Sequence, residues 1–92
     1  MTSVIALDAV PHIRRGVKCA YDQIRSAHVV LFPEGVLVLN ETAASVVSLC
    51  DGARSVGDIA LVLGDEYDGV EPEDVVELVA RLVERRVVDV DG

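Results

Sequence analysis

Residues 27–40, which read AHVVLFPEGVLVLN, decide the fold of this chain. Two runs rich in Val and Leu flank a Pro-Glu-Gly segment at 33–35, and such runs around a turn are typical of paired β-strands. Asn40 then changes the pattern, because its side chain can accept a hydrogen bond from the first turn of a helix. The stretch therefore predicts strands over 27–32 and 36–39 and a helix that starts at Asn40.

Upstream of this hairpin, residues 17–23 alternate between two faces. Val17, Cys19 and Tyr21 share one face, which is the period of a half-buried strand. The three strands together predict an antiparallel meander.

We expect both cysteines, Cys19 and Cys50, to be buried thiols that act as small apolar side chains.

Downstream of Asn40 the apolar period changes from 2 to 3.6. Gly52 is suited to end the first helix, since glycine readily takes positive φ. Ser55 with Asp58 three residues later indicates a capping box for a second helix. Pro72 is favourable at the first position of a third helix. Residues 87–90 predict a short final strand.

The order of these elements predicts an α+β fold, similar to a winged helix-turn-helix, with a three-stranded antiparallel sheet followed by three helices. A chain of 92 residues is enough for one domain. Residues 1–10 show no clear periodicity and are expected to form a flexible N-terminal arm. Residues 11–92 are expected to form a single recognition domain.

The charge of −8 is concentrated in the second half of the chain. Residues 1–40 have four cations and three carboxylates, a net of +1, whereas residues 41–92 have four arginines and thirteen carboxylates, a net of −9. The acidic third helix would repel DNA, so no nucleic-acid partner is expected. No signal peptide and no apolar run of about 20 residues is visible, so we expect a cytoplasmic protein without membrane contact.

Residues that could carry catalysis are few. His12 and His28 have no ligand at a metal-binding spacing. Cys50 lies at a predicted helix C-terminus beside Asp51, which disfavours a reactive thiolate. The sequence therefore predicts no enzyme activity, no metal site and no cofactor.

The feature that remains is the uncharged segment Gly35–Leu39, which is apolar on both faces. An edge strand is usually protected by Lys, Pro or a bulge, and this one is not. The third helix is apolar over about 160° of its surface, wider than one contact needs. An open edge beside such a helix can accept a guest strand. The alternatives are that the fold covers both faces, or that the edge mediates self-association.

Several short motifs in this order and spacing resemble the PqqD family of peptide chaperones in pyrroloquinoline quinone (PQQ) biosynthesis. The motifs are Arg15-Gly16-Val17, Tyr21-Asp22 with Arg25, Val30-Leu31-Phe32-Pro33-Glu34-Gly35, Leu39-Asn40 with Ala43, and Leu49-Cys50-Asp51-Gly52. The resemblance implies binding of the ribosomal PQQ precursor peptide and its presentation to a radical SAM PQQ synthase (PqqE-like). That enzyme, which holds the iron–sulfur clusters, joins a Glu and a Tyr of the peptide.

In related recognition domains the guest peptide adds as a strand against the third helix. Carried onto this chain, the resemblance implies these peptide-binding residues: Gly35, Val36, Leu37, Val38 and Leu39 on the strand, with Val76, Leu78, Ala80, Arg81, Val83 and Arg85 on the helix. The resemblance does not say which flank of the helix faces the guest. One candidate line consists of Val76, Ala80 and Val83, and the other of Leu78, Arg81 and Arg85. The two arginines would either pair with acidic side chains of the guest or belong to a solvated face of the helix.

Two other functions stay open. One is a recognition module for a different ribosomally made modified peptide, such as a lasso peptide. The other is a structural homodimer in which the open edge pairs with itself.

Overall fold

The computed structural model describes the backbone of residues 5–91 and the side chains of residues 5–90, and its regular elements agree closely with the predicted order. In chain order they are β1 (Val10–Ile13), β2 (Lys18–Asp22), β3 (Ala27–Phe32), β4 (Gly35–Leu39), α1 (Glu41–Leu49), α2 (Val56–Glu66), α3 (Pro72–Glu84) and β5 (Val88–Asp91). The predicted α+β fold with a three-stranded antiparallel sheet and three helices is confirmed. Its likeness to a winged helix-turn-helix stays a prediction.

The three-stranded sheet has the order β2-β3-β4, so β2 and β4 are its edges. Leu37 and Leu39 of β4 turn toward the helices, where Leu39 is buried and Leu37 packs against the core. Val36 and Val38 lie on the opposite face and stay 55% and 50% exposed. The helices therefore cover one apolar face of β4 and leave the other open.

Each helix begins at a residue that the sequence predicted. The Asn40 side chain accepts a hydrogen bond from the backbone N–H of Ala43 at 2.8 Å. Ser55 and Asp58 form the reciprocal capping box at the start of α2. Pro72 is the first residue of α3, where its missing N–H costs no hydrogen bond.

A second, two-stranded sheet pairs β1 with β5 in antiparallel register. The predicted final strand is present as β5, but β1 was not predicted, because its four residues include Pro11 and show no alternation. The backbone N–H of Gly52 donates to the carbonyl of Pro11 at 3.0 Å, and Gly52 has the expected positive φ of 78°. The turn after α1 is thus tied to the N-terminal strand.

The expected flexible arm over residues 1–10 requires a correction for residues 5–10; residues 1–4 lie outside the described part. Ile5 and Ala9 are buried, with exposures of 8% and 3%. The carbonyls of Ala9 and Leu7 accept hydrogen bonds from Val56 and Gly57 at 2.9 and 2.8 Å. These N–H groups belong to the first turn of α2 and have no partner within their own helix. The segment therefore caps α2, a role that leaves no periodic signal.

The two cysteines differ in exposure, which corrects the expectation that both are buried. Cys50 is buried at the end of α1, whereas Cys19 on the edge strand β2 is exposed. Burial, together with the charge of the neighbouring Asp51, raises the pKa of the Cys50 thiol to about 12. Cys19 is exposed as a residue, but neighbouring atoms still remove its thiol partly from water, and this raises its pKa as well.

Iodoacetamide at about pH 8 should alkylate Cys19 slowly in the folded chain and leave Cys50 unmodified until denaturant is added, because alkylation needs an accessible thiolate. Mass spectrometry of the digested protein measures both sites. Equal labelling of both cysteines in the native chain would contradict this structure.

The raised pKa of Cys50 also predicts a dependence of stability on pH. The stabilisation that comes from keeping the Cys50 thiol protonated in the folded chain is present below the ordinary pKa of 9.0 and is lost as pH rises toward about 12.

Candidate functional site

The hydrogen bonds of β4 follow from its turn. Pro33 and Glu34 alone separate Phe32 from Gly35, and these two residues are directly paired. With so short a turn, Phe32 and Gly35 must exchange both of their backbone hydrogen bonds. Antiparallel pairing alternates along the strand, so Leu37 and Leu39 also bond to β3.

The same alternation places the backbone N–H and C=O groups of Val36 and Val38 on the free side of β4. Val36 lies opposite Leu31 and Val38 opposite Val29 as pairs without hydrogen bonds. These groups have no hydrogen-bond partner elsewhere in residues 5–91. The edge therefore offers two donors and two acceptors in the spacing of a β-ladder.

A groove of about 230 Å³ runs beside this edge, between β4, the start of α1 and α3. Its walls are mostly apolar, and the residues that form them are Leu37, Val38, Leu39, Asn40, Thr42, Ala43, Leu78, Arg81, Leu82 and Arg85. We call this space the β4–α3 groove. An extended chain paired with β4 would place every second side chain into it.

The structure brings together six of the predicted site residues: Leu37, Val38, Leu39, Leu78, Arg81 and Arg85. Gly35 and Val36 belong to the same strand but do not line the groove. Val76, Ala80 and Val83 lie on the other flank of α3, since two residues along a helix rotate the side chain by about 200°. Val76 instead lines a separate depression with Leu7 and Pro72.

Four lining residues were not predicted as site residues: Asn40, Thr42, Ala43 and Leu82. Ala43 entered the sequence analysis only as part of the Leu39-Asn40 motif, and both Ala43 and Leu82 are buried. For Asn40, Thr42 and Ala43, the signal in the sequence was the absence of a loop between the strand and the first helix. Because α1 begins directly after Asn40, its first turn must lie beside the end of β4.

The charged side chains that line the β4–α3 groove are Arg81 and Arg85. Both are exposed, and neither forms an ion pair or a side-chain hydrogen bond with another described residue. The whole chain has a charge of −8. The groove is therefore a cationic spot on an acidic protein.

A second cavity of about 320 Å³ lies on the inner face of β2 and β3, near Cys19, His28 and Glu41. Its hydroxyl groups already have partners: those of Ser45 and Tyr67 are 2.9 Å apart, and that of Ser48 donates to the backbone carbonyl of Ser45 at 2.8 Å. Within residues 5–91, no three His, Cys, Asp or Glu side chains form a group that could hold a metal ion. None of the helices in this range has the length and apolarity that crossing a bilayer demands.

The family model for coenzyme PQQ synthesis protein D (PqqD) matches residues 27–88, which include the groove. The chain belongs to the PqqD family. The resemblance noted in the sequence is thereby confirmed.

Relatives of the same family cover most of the chain. A PqqA binding protein of Stutzerimonas stutzeri is 41% identical, over 90% of this chain and 92% of that protein. One of Azotobacter vinelandii is 34% identical, over 95% and 97%. A bifunctional coenzyme PQQ synthesis protein C/D of Methylorubrum extorquens is 36% identical over 87% of this chain, which spans only 22% of that longer protein.

A solved structure of the family has the same fold. The solution structure of the PqqD truncation of Methylobacterium extorquens PqqCD, described as a functional and stand-alone RiPP recognition element, superposes with a TM-score of 0.74. It is 34% identical and covers 92% of this chain, with 94% of its own length matched.

Proline substitutions test the hydrogen-bond pattern of β4 within the PqqD fold. Leu37→Pro removes an N–H that bonds to β3 and should lower the free energy of unfolding by about 2–3 kcal/mol. Val38→Pro removes an N–H on the free edge and should lower it by less than half as much. Urea unfolding followed by circular dichroism measures both, and a Val38→Pro that is as unstable as Leu37→Pro would refute the pattern.

Proposed function

We propose that this chain is a peptide chaperone that binds a PqqA-type precursor peptide of PQQ as an added strand along β4. The observation that carries the proposal is that the backbone N–H and C=O groups of Val36 and Val38, beside the β4–α3 groove, have no hydrogen-bond partner among the described residues. The names of the relatives as PqqA binding proteins support the identity of the guest. The description of the related structure as a RiPP recognition element supports the mode of action.

The register of β4 determines what each guest residue would meet. Guest residues opposite Val36 and Val38 would exchange main-chain hydrogen bonds with them. Guest residues opposite Leu37 and Leu39 would point to the same face as these leucines, because directly paired residues share a face of the sheet. Their side chains would fill the β4–α3 groove.

The remaining guest side chains would lie on the outer face of the sheet, which is also apolar. Val29 is paired with Val38 there, and Leu31 with Val36. Val29 is buried, but Leu31 is 40% exposed and Val36 and Val38 are about half exposed, so this face is open to solvent along β4 and at Leu31. The guest segment should therefore have apolar residues on both faces rather than a strict polar alternation.

Binding through one strand would leave the rest of the precursor peptide accessible to a second protein. In our proposal that protein is a radical SAM PQQ synthase, which joins a Glu and a Tyr of the peptide in the cytoplasm. The chain itself would catalyse no step: its buried thiol Cys50, with a pKa near 12, is unsuited to act as a nucleophile. Its contribution would be to order the peptide and deliver it.

The open edge also favours a second candidate, a homodimer in which β4 pairs with β4 of another copy. The two modes use the same backbone groups and exclude each other. Sedimentation velocity with and without PqqA peptide separates them. A stable dimer that excess peptide leaves unchanged would contradict the chaperone proposal in favour of the dimer, whereas a monomer that gains one peptide would support it.

Val38→Pro should weaken binding of PqqA peptide at least about fivefold, since a net hydrogen bond contributes about 1 kcal/mol. The matched control is Cys19→Pro on β2. Cys19 is opposite Val30, whose backbone groups bond to β4, so the N–H of Cys19 also faces a free edge. The control should bind as the parent does.

Titration of labelled PqqA by NMR measures the affinity of all three chains and checks that each is folded. A folded Val38→Pro variant with the parent affinity would contradict binding at this edge. Equal weakening in Cys19→Pro would place the guest on both edges or on neither.

A further inference from the structure

We infer that the β4–α3 groove selects guest segments with a carboxylate on a groove-facing side chain, which Arg81 and Arg85 bind. This inference rests on the proposed function, because it concerns the guest strand that the edge of β4 would hold. It adds a rule for which peptide segments the groove accepts.

The two arginines are placed as one cationic wall. They lie four residues apart at the C-terminal end of α3, so their side chains lie on the same face of the helix, one turn apart. Both line the groove together with Leu78 and Leu82. A guest side chain in the groove would contact Leu78 and Leu82 in its interior and the exposed guanidinium groups at its rim.

The arginines have no partner within the described residues. Three other arginines form ion pairs: Arg14 with Asp89, Arg25 with Asp22 and Arg54 with Asp51. Glu77 is four residues before Arg81, a favourable spacing for an ion pair, but the two are not paired. In a chain with sixteen carboxylates, two guanidinium groups at an apolar groove remain available for an external anion.

The spacing of the groove fits an acidic residue beside an apolar one. Successive groove-facing residues of a strand are about 7 Å apart, and one turn of helix is about 5.4 Å. A carboxylate on one such residue would reach the arginines, while the side chain two residues along would pack on Leu37, Leu78 and Leu82. The preferred guest is therefore a strand with an acidic and an apolar residue two positions apart.

The test compares two double variants with the same change in charge. Arg81→Gln/Arg85→Gln removes the cationic wall. Arg15→Gln/Arg86→Gln removes two exposed arginines that do not line the groove. PqqA peptide is titrated against the parent and both variants in 0.1 M and 1 M salt, because screening reduces the contribution of exposed charges.

Arg81→Gln/Arg85→Gln should bind PqqA about tenfold more weakly than the parent in 0.1 M salt, with most of the difference lost in 1 M salt. Arg15→Gln/Arg86→Gln should stay within twofold of the parent. Replacing Asp and Glu of the peptide one at a time by Asn and Gln should identify one carboxylate whose loss weakens binding to the parent and not to the groove variant.

The inference is overturned if the groove variant binds within twofold of the parent or if the control loses affinity equally. In either case the peptide still binds and the proposed function stands. A parent chain that does not bind PqqA at all would instead overturn the proposed function, and the inference with it.

Discussion

Antiparallel pairing lets a residue direct its backbone hydrogen bonds toward only one neighbouring strand, and this constraint determines the character of the site. The short turn at Pro33 and Glu34 assigns Gly35, Leu37 and Leu39 to β3. Val36 and Val38 are left with their donors and acceptors on the open side. Shifting the pairing by one residue would also move Leu37 and Leu39 out of the core. Core packing and the open edge thus depend on the same register.

The rest of the fold places a groove next to that edge. Asn40 both ends β4 and caps α1, so the first turn of the helix lies beside the end of the strand. The helix α3 supplies the other wall through Leu78, Arg81 and Arg85. Backbone hydrogen bonds join residues 5–9 to the first turn of α2, and β1 pairs with β5. A domain this small can present a long site because one edge strand contributes its backbone and two helices contribute side chains.

Much of this arrangement could be predicted from the sequence, because it depends on local signals. The Asn40 cap, the Ser55–Asp58 capping box and the turn before Gly35 each involve neighbours within a few residues. The strand β1 and the capping of α2 by Leu7 and Ala9 could not, since their partners are distant in the chain. For the same reason the sequence could not decide which flank of α3 lines the groove. Helical periodicity separates two faces but does not say which one lies beside β4.

Membership of the PqqD family and the geometry of β4 support the same function from independent directions. The proposed binding mode requires that the backbone N–H groups of Val36 and Val38 lack a hydrogen-bond partner in the free chain and gain one in the complex. Hydrogen exchange of these two amides, measured residue by residue with NMR, distinguishes the two states. Fast exchange without peptide and strong protection with saturating PqqA is the predicted result, with Leu37 and Leu39 protected throughout. Protection of Val36 and Val38 without peptide, or no gain with it, would contradict the account.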